Sequence, residues 1–156
     1  MADTGNKKTL HVLNDLIRIN IDRISGYEKA AHEELTPEPG FRDFFYSLAI
    51  ESRANVNKLH AEVIRLGGHP VGQSTITGKI YLHWLVGKNS FNGTDTTVCS
   101  AAEQAVQKAY QQALDEQDRL PNEIYDLVEI QLWGLERAHQ QLLDLRSAAQ
   151  SNKLHE

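Results

Sequence analysis

Four long stretches of this chain repeat apolar residues at three- and four-residue steps, and two of the three breaks between them are short. That spacing gathers the apolar side chains on one stripe of a helix. Helices of such length can hide the stripe only against one another. In the first stretch, roughly 10–35, the stripe is Leu10, Leu13, Ile17, Ile21, Ile24, Ala31 and Leu35, and Thr9 is suited to cap its start. TPEPG at 36–40 ends it, because proline cannot continue a helix. The second stretch, about 41–66, carries Phe41, Phe45, Leu48, Val56, Leu59, Val63 and Leu66. Gly67-Gly68 supplies a left-handed stop, and Pro70 follows. A third helix is expected at about 95–117, capped by one of Thr94, Asp95, Thr96 or Thr97. Its face is rich in alanine (Ala101, Ala102, Ala105, Ala109, Ala113), which lets a neighbour approach closely. Arg119-Leu120-Pro121 forms the next turn, with Pro121 suited to a first helical position. The fourth helix, about 121–147, presents Ile124, Val128, Leu132, Leu135, Leu142 and Leu145.

The middle break is of another kind. Residues 68–95 hold Gly68, Gly72, Gly78, Gly87 and Gly93 among many Ser, Thr and Asn. Within it, GKIYLHWLVGK fits one short helix packing Ile80, Trp84 and Leu85, either as a lid or, if Trp84 is exposed, as a binding patch. No segment alternates convincingly as a strand. The expectation is an all-α four-helix bundle: two antiparallel helix hairpins joined by a long crossover with a short helix. It is a single domain over 9–147, with flexible termini at 1–8 and 148–156. Bundles that run simply up and down need no such long link.

Composition excludes more than it proposes. A net charge of -5, with no basic run longer than Lys7-Lys8, argues against nucleic acid as a partner. No apolar stretch approaches the roughly 20 residues of a membrane span, and MADTGNKKTL lacks the apolar core of a signal peptide. Cys99 is the single cysteine, so no intrachain disulfide forms and a cytoplasmic setting is expected. Flanked by Val98, Ala101 and Ala102, it reads as buried packing rather than a reactive thiol.

The functional question concerns polar residues near the stripes. Glu136 and His139 form Glu-x-x-His on the fourth helix, a spacing that puts two metal ligands on one face. His139 lies on the stripe between Leu135 and Leu142. Glu28 falls among Ile21, Ile24 and Ala31, where a lone carboxylate needs an arginine, a hydrogen bond such as one from Tyr110, a proton or a metal. Glu103 lies at the edge of the alanine face, as a metal ligand or a solvated flank. On the second helix the inward positions at that height are Ser52 and Asn55, with Glu51 to one side and Ala54 where a His would complete the pattern. Glu62 and His60 lie lower and do not repair it. Glu28 and His32 share one-turn spacing, but His32 is farther from the stripe.

These features resemble the ferritin-like superfamily, and more narrowly an uncharacterised bacterial family of four-helix bundles, a domain of unknown function. The resemblance is carried by LNDLIRINIDRISGYEKAAHE (13–33), ESRANVNKLHAEVIRLGGHP (51–70) and AVQKAYQQALD (105–115), and spans about residues 9–147. It implies that Glu28, Glu103, Glu136 and His139 match ligands of a di-iron site, with Glu51 a weaker fifth. The second Glu-x-x-His is missing, so the implied site is incomplete. Two readings follow. One is a non-enzymatic bundle with a binding or stress-related role, as a single chain or a homodimer, in which Glu28, Ser52, Asn55 and His139 form a polar layer. The other is a protein holding one iron, zinc or manganese ion through Glu28, Glu103, Glu136 and His139. Nothing arranges His and an acid around Cys99 for nucleophilic catalysis.

Overall fold

The sequence places two hairpins side by side, and their register decides which polar residues meet. A computed structural model describes residues 4–32, 39–72, 97–115 and 120–154. It contains four α-helices and, among the described residues, no strand: α1 (Thr4–His32), α2 (Pro39–Arg65), α3 (Thr97–Asp115) and α4 (Asn122–Leu154). The expected short helix at 78–88, with Tyr81, His83 and Trp84, lies outside the described residues.

Two helix ends run further than apolar periodicity indicates. α1 begins at Thr4, so Thr9 is a buried helical residue rather than a cap. α4 continues to Leu154. Apolar stripes mark only where a helix is packed. Exposed, helix-compatible residues such as Lys7 and Lys8, or the polar run after Leu145, extend it without adding to the stripe. α2 ends as expected. Gly67 takes a φ of 81°, its N–H reaches Ile64 O at 2.9 Å, and the Gly68 N–H reaches Val63 O at 3.0 Å. These paired bonds satisfy carbonyls that the last turn would otherwise leave open. Pro121 precedes α4 rather than entering it, and its carbonyl accepts from the N–H groups of Ile124 and Tyr125.

Contacts give the arrangement. α1 packs on α2 and α3 on α4. Across the hairpins α1 meets α3 and α2 meets α4. Arg23 and Asn20 of α1 meet Glu103 and Tyr110 of α3, so these helices are antiparallel. Asn55 and Gly40 of α2 meet Gln131 and Leu145 of α4, again antiparallel. α2 and α3 therefore run in the same direction, and the residues between them join opposite ends of the bundle.

The core is continuous, from Leu13, Leu16 and Ile17 on α1 through Phe41, Phe45, Leu48 and Leu59 on α2. It continues with Ala102, Val106 and Tyr110 on α3, and Ile124, Leu135 and Leu142 on α4. One end is aromatic: Tyr27 and Phe45 have ring centroids 5.3 Å apart, and Phe41 stands 6.2 Å from Phe45. At the other end the chain just beyond α2 lies under the Leu10 side chain of α1: a Cβ on Gly68 would stand 2.5 Å from Leu10 Cδ2. The side chain of Asn14 fastens the chain beyond α2, accepting from the Val71 N–H at 3.1 Å and donating to His69 O at 3.4 Å.

Candidate functional site

On α1 the buried stripe runs Leu13, Leu16, Ile17, Asn20, Arg23, Tyr27, Ala30 and Ala31. It is rotated from the purely apolar tracing because its two central positions are polar. Asn20 and Arg23 are both 0% exposed. A guanidinium so deep is tolerable only when its donors are met and its charge is balanced, and Arg23 achieves both. Its Nε and Nη2 donate to the two carboxylate oxygens of Glu103 at 3.0 and 2.6 Å, a bidentate fork. Its Nη1 donates to Glu51 Oε1 at 2.7 Å and to Ser52 Oγ at 2.9 Å. The guanidinium carbon also lies 5.7 Å from the Tyr27 ring centroid.

Three helices thus converge on one cation, and α4 contributes by omission. Gly134 faces Glu51, and a Cβ there would stand 3.8 Å from Glu51 Oε2. Glu103 is fully buried, so the reading of it as a solvated flank is replaced by an inward, ion-paired carboxylate. Glu51 keeps 32% of its side chain exposed. Ser52 and Asn55 point inward, as their register on α2 requires.

Beside this ion cluster lies a neutral ring to which all four helices contribute. Asn20 Nδ2 donates to Leu16 O and Tyr110 Oη, both at 2.8 Å. The Tyr110 hydroxyl donates to Gln131 Oε1 at 2.7 Å, and Gln131 Nε2 donates to Asn55 O at 3.3 Å. Asn55 Nδ2 closes the ring on Asn20 Oδ1 at 3.3 Å. Burial pushes the Tyr110 hydroxyl well above its ordinary value of 10.0, only partly opposed by the Asn20 hydrogen bond and the charge of Arg23. The phenol is therefore a neutral donor through the physiological range.

The sequence-flagged residues are distributed differently. Glu28 is not held in the core; its side chain is 41% exposed and pairs with Arg53 of α2. Glu136 is exposed. His139 is half-buried between two α3 side chains, with Nε2 2.7 Å from Ser100 Oγ and Nδ1 3.0 Å from Gln107 Nε2. Both ring nitrogens of His139 are thus engaged by α3 side chains. Glu103 meets Arg23, Glu28 meets Arg53 and His139 meets Ser100, so these candidates do not share one centre. Among the described residues no three His, Cys, Asp or Glu side chains gather to hold a metal ion. Cys99 is fully buried.

Sequence reasoning passed over Asn20, Gln131 and, at the centre of the ion cluster, Arg23. A signal existed for Arg23: it stands at i+3 from Asn20 and i−4 from Tyr27, on a face that returns to Ala30 and Ala31. Apolar tracing through Ile21 and Ile24 steps around it, and both isoleucines are only partly buried.

Residues 8–116, which include α2 and α3 and all but the start of α1, match the sequence profile of a family described as Domain of unknown function (DUF2383), and the chain belongs to that family. No curated protein matches the chain. Among the described residues, no helix is long and apolar enough to cross a membrane.

Proposed function

We propose that this DUF2383 member is a ferritin-like bundle that acts by binding rather than catalysis, with the guanidinium of Arg23 standing where related bundles place a metal. The single observation that carries the reading is the fully buried Arg23, forked on the equally buried Glu103 and extended to Ser52 and the part-exposed Glu51. A buried carboxylate from one helix and a part-buried carboxylate from another are the kind of donors that hold a cation in a bundle core. Here a side chain supplies the cation, and both oxygens of Glu103 are engaged by it. The parallel course of α2 and α3, which calls for an end-to-end connection, supports the ferritin-like topology. The engagement of both His139 ring nitrogens by Ser100 and Gln107 of α3 supports a structural role for this pair.

The buried polar residues then serve structure. A ring that closes only when all four helices are in register penalises slipped arrangements, because any slip strands a buried donor or acceptor. The lone buried thiol supports a cytoplasmic setting.

The competing reading places one divalent ion on Glu28, Glu103, Glu136 and His139. It requires Glu103 to leave Arg23, Glu28 to leave Arg53, and His139 to leave Ser100 or Gln107. Metal analysis of the purified full chain after exposure to Fe(II), Zn(II) or Mn(II) tests both. The expected result is less than stoichiometric metal and an unchanged Tm. One tightly held ion per chain, lost in Glu136→Ala or His139→Ala, would overturn the proposal.

A further inference from the structure

We infer that the bundle comes apart along the seam between its two hairpins, with α3–α4 detaching and losing its helical order while the α1–α2 pair stays intact. The two kinds of helix contact are built differently. In the α1–α2 hairpin Leu10 lies over Gly68, Asn14 fastens the chain at 69–71, and Tyr27 packs on Phe45. The seam is thinner: α1 meets α3, and α2 meets α4, over far fewer residues than α1 meets α2.

Its centre is also polar. Arg23 to Glu103, Asn20 to Tyr110 and Gln131 to Asn55 all cross from one hairpin to the other. On the α1–α3 side, Leu16, Ile19, Ala109 and Gln112 line a cleft of about 230 Å³ rather than interlocking. Separated ions and amides regain water, which offsets much of what they lose. Separated apolar surfaces regain nothing. The plane that is both thinly packed and polar is therefore the one that yields first, as a cooperative unit below global unfolding.

Amide hydrogen exchange of the full chain, followed by NMR at rising sub-denaturing urea, tests this. The amides of Val106 and Tyr110 are expected to exchange at least roughly tenfold faster than those of Leu13, Ile17 and Leu59, through an opening with a smaller urea dependence. In Arg23→Met/Glu103→Leu, which makes the seam apolar, the α3 amides slow toward the α1–α2 rates. Equal exchange and equal urea dependence in both hairpins of the natural chain would overturn the inference, as would α3 rates that the double variant leaves unchanged.

Discussion

Arg23 and Glu28 lie little more than one turn apart on α1, yet they form ion pairs of opposite character. Five residues rotate a helix by roughly 140° net, enough to move a side chain from the core to the rim. Arg23 is sealed against Glu103, with side chains 0% and 1% exposed. Glu28 meets Arg53 with side chains 41% and 57% exposed. Water screens the second pair and would solvate either partner alone. It cannot reach the first, so each partner there depends on the other. Identical chemistry thus has structural weight in one place and little in the other.

The sharpest way to break that comparison is to remove one partner from each pair. Glu103→Ala leaves a buried guanidinium without its fork, and urea unfolding is expected to show a loss of about 3–5 kcal/mol. If the loss is no larger than for an exposed pair, Arg23 is not as sealed as its geometry indicates. Removing both charges sharpens the point: Arg23→Met/Glu103→Leu is expected to be neutral or more stable, by up to about 4 kcal/mol. Glu51, one-third exposed, can then turn to water.

Tyr110→Phe tests the neutral ring and is expected to cost about 1–3 kcal/mol, since Asn20 and Gln131 lose their shared partner in a buried setting. The same tyrosine gives a pH test. Its folded pKa lies above the unfolded value of 10.0, so the stability it confers is complete below pH 10 and lost as pH rises beyond it, when only the unfolded chain ionises. Tyr110→Phe is expected to flatten that alkaline decline in Tm. The smallest effect belongs to the rim: Glu28→Gln is expected to change stability by less than about 1 kcal/mol, and salt is expected to erase the difference.

Much of the architecture could be read from the chain. The helical periods, the Gly67-Gly68 stop and the proline-bounded turns are local properties, so they are written where they act. The inward register of Ser52 and Asn55 on α2 was equally legible, because Leu48, Val56 and Leu59 flank them with an unambiguous stripe. On α1 the same reasoning turned the face toward Glu28. Two branched apolar residues, Ile21 and Ile24, sit on a half-covered flank, while Asn20 and Arg23 occupy the centre. Periodicity weighs hydrophobicity, and it has no means to score a charged residue as inward.

The sequence by itself determined four helices and their order, because these follow from backbone propensity and spacing along one chain. Only the tertiary structure decided that Arg23 is sealed in the core while Glu28 stands at the rim. A guanidinium can be buried only if carboxylates eighty and twenty-eight residues away in sequence arrive at its edge, and no local pattern records that arrival.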